Sequence, residues 1–219
     1  PVTLRTGLVR SLNAATAWTL MELVGLDDSY NYLVDMGVNP AHINKSGAGL
    51  ALGTSGITPV EMAGAFAAIA NAGVYQEPLS FTRVTDRNGN VILDAKEIRD
   101  SRQVFKPSTA WLLTDMLVEA VSSGAGTGKN ARIEGMTVGG KTGTNQNAKG
   151  VYFVGFTPYY TMSLWIGHDD YKPLAEDVYA SSSAAPLWQY IMAQIVRDKP
   201  NAPIINASPE ELGLTKVRI

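Results

Sequence analysis

The sequence predicts an α+β fold: an antiparallel sheet covered by helices, with a helical subdomain ahead of it. Three observations carry that expectation. Apolar residues recur at helical spacing through much of the first half, three runs rich in Val, Tyr, Phe, Thr and Trp follow one another between residues 136 and 170, and an amphipathic helical pattern comes after them. Strand and helix do not alternate regularly, which argues against a parallel α/β sheet.

Leu4, Leu8 and Leu12, then Trp18, Leu20, Leu23 and Val24, read as helix over 3–25, interrupted or bent near Ser11-Leu12-Asn13 and stopped by Gly25. A short helix is expected over 29–36, before Gly37; Asp27-Asp28 ahead of it reads as helix N-cap chemistry. The stretch ITPVEMAGAFAAIANAG carries the fullest helix signals. Thr58 is the N-cap, Pro59 stands at the first helical position, Glu61 closes a capping box and Asn71 to Gly73 form the stop. In FTRVTDRNGNVIL two β-leaning runs flank Asn88-Gly89, a hairpin signal. Helical spacing returns over 106–124, from Pro107 to Gly124. MTVGGKTGT, GVYFVGFTP and YTMSLWIGHDD then read as three consecutive antiparallel strands, and 184–196 as a last helix, with loop after Pro200. The tryptophans Trp18, Trp111, Trp165 and Trp188 are expected in the core.

With 219 residues, 45% of them hydrophobic, the chain can bury one sizeable core. A net charge of -2 supplies no basic field for nucleic acid and no polybasic segment for a membrane surface. The absence of Cys excludes disulfides and thiolate metal sites. AGAFAAIANAG, the most apolar window, falls well short of the ~20 residues that span a bilayer. The first residue is not Met and a patterned segment is under way by residue 4, so the chain reads as a fragment. Small-molecule or peptide chemistry is the expectation.

One motif demands a decision. Residues Gly135 to Thr142 satisfy the phosphate-loop pattern G-x-x-x-x-G-K-[ST], whose backbone N–H groups and Lys cradle phosphates. Such a loop must open a helix. Here Lys141-Thr142 continues as GTNQNAKG, a turn, and then as the strand VYFVGF, so a nucleotide is not expected. A second near-match, SGAGTGKN, has Ser123 where the first Gly should stand and Asn130 where Ser or Thr should. Placed on an edge strand instead, Lys141 with Thr142, Gly143 and Thr144 offers an ammonium, two hydroxyls and an approachable backbone, which suits a carboxylate-bearing ligand pairing with the strand. The plainer alternative is a solvated edge lysine that discourages aggregation. His168-Asp169-Asp170 has the composition of a metal cluster but reads as a solvated turn at a strand end.

GGKTGTNQNAKGVYFVGFTPYYTMSLWIGHDD resembles the strand bearing the K-T-G motif, with its two neighbours, in serine penicillin-recognising enzymes, specifically class A penicillin-binding proteins. LALGTSGITPVEMAGAFAAIANAGVYQEP and LTDMLVEAVSSGAGTGKNA are similar to the same family's transpeptidase domain. The resemblance covers roughly residues 3–196, which divides the chain into the C-terminal portion of a penicillin-binding transpeptidase domain, 1–200, and a tail, 201–219. The fold it implies is the penicillin-binding protein/β-lactamase-like α+β fold. The S-x-N element falls at Ser11-Leu12-Asn13; Ser29-Tyr30-Asn31 also fits but reads as a helix entry. The third element, S-x-x-K, is missing. The residues three before the nine lysines are His42, Leu93, Gln103, Gly126, Val138, Gln146, Asp169, Val196 and Gly213. In the family that motif lies upstream of S-x-N, so this chain is expected to hold two of three catalytic elements and to be inactive alone.

The resemblance implies a chemistry. An upstream Ser, activated by its Lys, attacks a peptidoglycan stem peptide ending in D-alanyl-D-alanine, the terminal D-alanine leaves, and an amine from a neighbouring strand resolves the acyl-enzyme. Ser11 relays a proton and Asn13 holds the substrate amide and the upstream Lys. Lys141 adds positive potential, Thr142 and Thr144 meet the substrate carboxylate, Gly143 admits close backbone approach, and the Thr144 N–H forms half of the oxyanion hole. Because ideal strand alternation separates Lys141 from both threonines, this assignment demands a local twist or a ligand reaching past the edge. β-Lactams act as substrate mimics, no metal or cofactor is expected, and the domain is exported and anchored by an N-terminal helix, beside a glycosyltransferase domain. A D,D-carboxypeptidase, a serine β-lactamase and a non-catalytic module that binds cell-wall peptide remain as alternatives.

Overall fold

The computed structural model describes residues 1–145 and 149–215. Its first part is helical: α1 (Leu4–Val9), α2 (Asn13–Thr19), α3 (Leu26–Asp35), α4 (Gly47–Leu52) and α5 (Pro59–Ala70). The expected break at Ser11-Leu12-Asn13 separates α1 from α2, and a π-helical turn, Leu20–Val24, carries α2 to Gly25. Helix α3 starts earlier than residue 29. Gly25 occupies the N-cap position, and the two acids sit inside the first turn, where Asp27 pairs with Lys45 at 2.7 Å. The capping role expected of Asp27-Asp28 is therefore corrected: they stand two and three residues past the N-cap, inside the helix.

Strand β1 (Val74–Gln76) pairs with β4 (Ser101–Gln103), and between them lie the hairpin β2 (Arg83–Thr85) and β3 (Val91–Asp94) and the short helix α6 (Ala95–Ile98). The hairpin forms about Asn88-Gly89 as expected, with Gly89 at φ 85°, but its loop is longer than two residues. The reason is Asp86, whose carboxylate accepts from the N–H groups of both Asn88 and Asn90.

Helix α7 (Pro107–Ser122) leads to the antiparallel strands β5 (Gly139–Thr144), β6 (Gly150–Phe156) and β7 (Thr161–Gly167), and α8 (Ala185–Ile195) follows. Central strand β6 is buried on both faces through Val151, Phe153, Val154 and Phe156. On one face Trp188 of α8 lies edge-on to Phe153, ring centroids 5.1 Å apart, and its indole N–H donates to the Met162 carbonyl at 2.9 Å. On the other, Phe156 packs with Ile69 of α5 and Leu117 of α7. The paired glycines of β5 make this possible. A Cβ on Gly139 would lie 2.4 Å from the Phe156 ring, and one on Gly140 2.6 Å from the Phe153 ring. Past Pro200 the chain has no helix or strand among the described residues, yet Ile205 is buried and Ile204 packs beside the Phe156 cluster.

Trp188 meets the core expectation, and Trp111 and Trp165 are half-buried. Trp18 does not meet it: at 58% exposure it lines an open groove, because no described element packs over that side of α2.

The capping box of α5 is formed and extended. The Glu61 carboxylate accepts from the Thr58 N–H and hydroxyl, from the Asn39 N–H at 2.8 Å and from His42 Nδ1 at 2.9 Å, tying the helix start to the turn at 39–42. Burial acts to raise the Glu61 pKa, but these hydrogen bonds outweigh it and hold it at about 2, below the ordinary 4.5. Stability drawn from this carboxylate is thus present above pH 4.5 and lost as pH falls toward 2. Glu61→Gln is expected to lower stability at pH 7 by about 1–3 kcal/mol, a gap to the unsubstituted chain that narrows below pH ~4.5. Thermal unfolding of both chains across that range checks it; a gap independent of pH contradicts it.

Candidate active site

Two segments that are far apart in sequence build the site. The first is the junction of α1 and α2. After Val9 the chain closes with two hydrogen bonds, Ser11 N–H to Leu8 O at 3.1 Å and Leu12 N–H to Gly7 O at 2.8 Å, and Ser11 adopts φ 54°. This is the Schellman ending of a helix, in which the left-handed position usually belongs to Gly. Arg5 fixes the helix in place by forking to Asp115 at 2.6 Å and Glu119 at 2.7 Å on α7. Asn13 follows as the first residue of α2, exposed, its side-chain amide without a hydrogen-bond partner among the described residues.

The second segment is β5. It pairs with β6 without a register shift from Gly139↔Phe156 to Thr144↔Val151. Lys141 and the two threonine side chains therefore emerge on opposite faces. The unshifted register holds no bulge that would bring them to one face, so their expected roles require a ligand reaching past the strand edge. Backbone geometry favours such a ligand. Asn145 N–H donates to Gly150 O, so antiparallel alternation turns the N–H and C=O of Thr144 and Thr142 away from β6, toward the edge.

Lys141 joins the segments. Its Nζ donates to Ser11 Oγ at 2.7 Å, across 130 positions of sequence, and to the Thr142 carbonyl at 2.9 Å. Thr142 Oγ1 is hydrogen-bonded to Thr127 Oγ1 at 2.7 Å, and Thr144 Oγ1 accepts from the Ala180 N–H at 3.2 Å. Ser11, Asn13 and Lys141 open onto a groove of about 1290 Å³ whose walls are largely apolar, among them Leu4, Trp18 and Phe66.

Burial pushes the Lys141 ammonium down from 10.5 to about 8. Between those values the unfolded chain holds a proton that the folded chain has released, so stability rises with pH from about 8 to 10.5. Lys141→Met is expected to abolish that rise. Thermal unfolding of both chains over this range tests it, and equal slopes would contradict the burial of the charge.

The family model described as the penicillin binding protein transpeptidase domain matches residues 1–193. The chain belongs to this family. Among the relatives of this chain are penicillin-binding protein 1A of Clostridium botulinum, 39% identical over 88% of the chain, and of Aquifex aeolicus, 31% identical over 97%. Penicillin-binding protein 1F of Bacillus subtilis is 35% identical over 77%. The chain spans 23%, 29% and 23% of the length of these three relatives. The fold matches that of penicillin-binding protein 1A from Haemophilus influenzae, with a TM-score of 0.79 and 24% identity over 92% of this chain and 35% of that one. It also matches PonA1 from Mycobacterium tuberculosis in complex with penicillin V, at 0.76 and 22% over 91% and 58%. The expected α+β penicillin-binding fold is thereby met.

The chain brings Ser11, Asn13 and Lys141 to one groove and sets Thr142, Gly143 and Thr144 along the neighbouring edge. Ser29 lies inside α3, four residues past the Gly25 N-cap, where its N–H donates to Gly25 O at 3.3 Å, so it is not the helix entry expected of it. Lys141 lies inside a strand, where no phosphate-cradling helix N-terminus follows it directly. His168, Asp169 and Asp170 are exposed at the end of β7, and Asp170 pairs with Lys172 at 2.5 Å. Sequence reasoning missed Arg5 and Thr127. Arg5 stands at helical spacing from nothing charged, and Thr127 lay inside the discarded SGAGTGKN, so neither carried a usable signal.

Proposed function

We propose that this chain is the C-terminal portion, residues 1–200 with a tail at 201–219, of a serine D,D-transpeptidase that cross-links peptidoglycan stem peptides and is acylated by β-lactams. The observation that carries the reading is the 2.7 Å contact from Lys141 to Ser11 beside an open strand edge. It supports the reading by joining the lysine of the K-T-G element to the serine of the S-x-N element.

The reaction balances as follows. The upstream Ser oxygen bonds to the penultimate carbonyl carbon, the C–N bond to the terminal D-alanine breaks, and the Ser proton passes through Ser11 to the departing amine. An acceptor amine then attacks the ester, forms the cross-link and returns a proton to the Ser. Lys141 keeps the Ser11 hydroxyl oriented, because its ammonium can only donate and so leaves the Ser11 proton free to point elsewhere. Asn13 offers a free amide to the substrate and the upstream Lys. The edge-facing Thr144 N–H meets the developing oxyanion, and the Thr142 and Thr144 hydroxyls meet the substrate carboxylate.

The apolar groove is the seat of the upstream segment carrying S-x-x-K, which would cover Leu4 and Trp18 and bring the nucleophile to Ser11. The isolated chain is accordingly inactive. On this reading the domain works on the extracytoplasmic face, anchored by an N-terminal segment not in this chain; no helix among the described residues is long and apolar enough to cross a membrane. Fluorescent penicillin, denaturation and mass spectrometry test the reading on this chain alone and together with the upstream segment. Label on the upstream Ser in the mixture only supports it; label on this chain alone, or none in either sample, overturns it in favour of a different nucleophile or a non-catalytic binding module.

A further inference from the structure

The discarded phosphate-loop look-alike has a place in the site. Residues 123–130 leave the end of α7 and fold back against it, with Gly128 N–H donating to Ala120 O at 3.0 Å. Of the glycines on either side of Thr127, Gly126 has no room for a side chain and Gly128 has little. A Cβ on Gly126 would lie 2.2 Å from the Ala120 carbonyl oxygen, and one on Gly128 would press on Val121 and Phe153 at 3.1 and 3.3 Å. Thr127 is thus held at a set position, and both its polar groups reach the site. Its N–H donates to Val9 O at 3.4 Å, two residues before Ser11, and its hydroxyl meets that of Thr142 at 2.7 Å.

We propose that Thr127 is a positioning residue that aims the Thr142 hydroxyl proton at the carboxylate of a ligand on the β5 edge. A hydroxyl has one proton and two acceptor sites. When Thr142 donates to Thr127 it presents only lone pairs to the edge, and these repel a carboxylate. When a carboxylate arrives, the pair reverses: Thr127 donates to Thr142, and Thr142 donates to the anion. The relay holds the Thr142 rotor in the one orientation that serves the ligand, and a donor chain ending on an anion is stronger than its separate links. This inference rests on the transpeptidase reading and adds to it the residue that selects for the carboxylate.

The test uses the protein carrying the upstream segment, with Thr127→Val, which keeps the shape and loses the hydroxyl, and Thr127→Ser, which keeps the hydroxyl. Acylation by a penicillin and by its methyl ester is resolved into a saturation constant and a limiting rate. For Thr127→Val the saturation constant for the free carboxylate is expected to rise about 10-fold, with the ester and the limiting rate little changed, and Thr127→Ser to restore the parent value. Equal weakening toward both compounds, or no change toward either, overturns the inference while leaving the transpeptidase reading intact. Failure of the unsubstituted protein to be acylated overturns both.

Discussion

Lys141→Ala, made in the protein that carries the upstream segment, is expected to slow acylation by penicillin by roughly 10²–10⁴-fold while the fold is retained. The size follows from what the ammonium touches. It donates to Ser11 Oγ and to the Thr142 carbonyl, so its removal frees the rotor of the relay hydroxyl and takes the positive potential from the groove at one stroke. Folding does not depend on it in the same way, since burial already disfavours the charged form in the folded chain. Lys141→Arg separates charge from placement: a guanidinium stays charged above pH 8 but cannot sit as a point donor 2.7 Å from a hydroxyl. Partial recovery with Arg, together with acylation that no longer declines as pH rises through about 8, assigns the effect to charge. Stopped-flow acylation across pH measures both quantities, and a Lys141→Ala protein that acylates within a fewfold of the parent removes Lys141 from the machinery.

The contrast between what could and could not be read from sequence has physical causes. Helix α5 was legible because Thr58, Pro59 and Glu61 lie within four positions and each acts on its neighbours' backbone. The meander was legible because β-branched and aromatic residues crowd three short runs, and the aromatic-over-glycine packing of β6 on β5 follows from Val138-Gly139-Gly140 once the strands pair. What depended on distant partners was not legible. Asn39 and His42 reach Glu61 from about 20 positions away, and the exposure of Trp18 depends on what packs over α2, which the helical periodicity of α2 does not state. In the site, Ser11 and Lys141 were paired only because the motifs of a family paired them; across 130 positions no local signal joins them. Thr127 had no such help. Its segment resembles a phosphate loop without matching one, and its bond to Thr142 exists only once α7 and β5 are side by side.

The left-handed backbone at Ser11 leads to the second large expected effect, in which stability and activity move in opposite directions. A helix that ends in the Schellman manner puts its left-handed residue where Gly is at ease and where an L side chain costs about 1–2 kcal/mol. Ser11→Gly is therefore expected to stabilise the chain by about 1 kcal/mol and to slow acylation of the protein carrying the upstream segment by roughly 10²–10⁴-fold, since the relay hydroxyl is gone. Ser11→Ala removes the same hydroxyl but keeps a Cβ at φ 54°, so it should slow acylation equally and bring little or none of the stability gain. The pair isolates the backbone term from the hydroxyl term, and Lys141 serves as the internal reference because both substitutions leave its Nζ with the Thr142 carbonyl as acceptor. Denaturant unfolding and penicillin acylation of both variants decide the matter. If Gly gives no more stability than Ala, the strain at Ser11 is not stored in its backbone. If either variant acylates like the parent, the proton leaves by a route that does not pass through Ser11. If both expectations hold, a serine has been kept at a position that local folding energetics would give to glycine, and the cost is explained by the 2.7 Å contact it makes with Lys141.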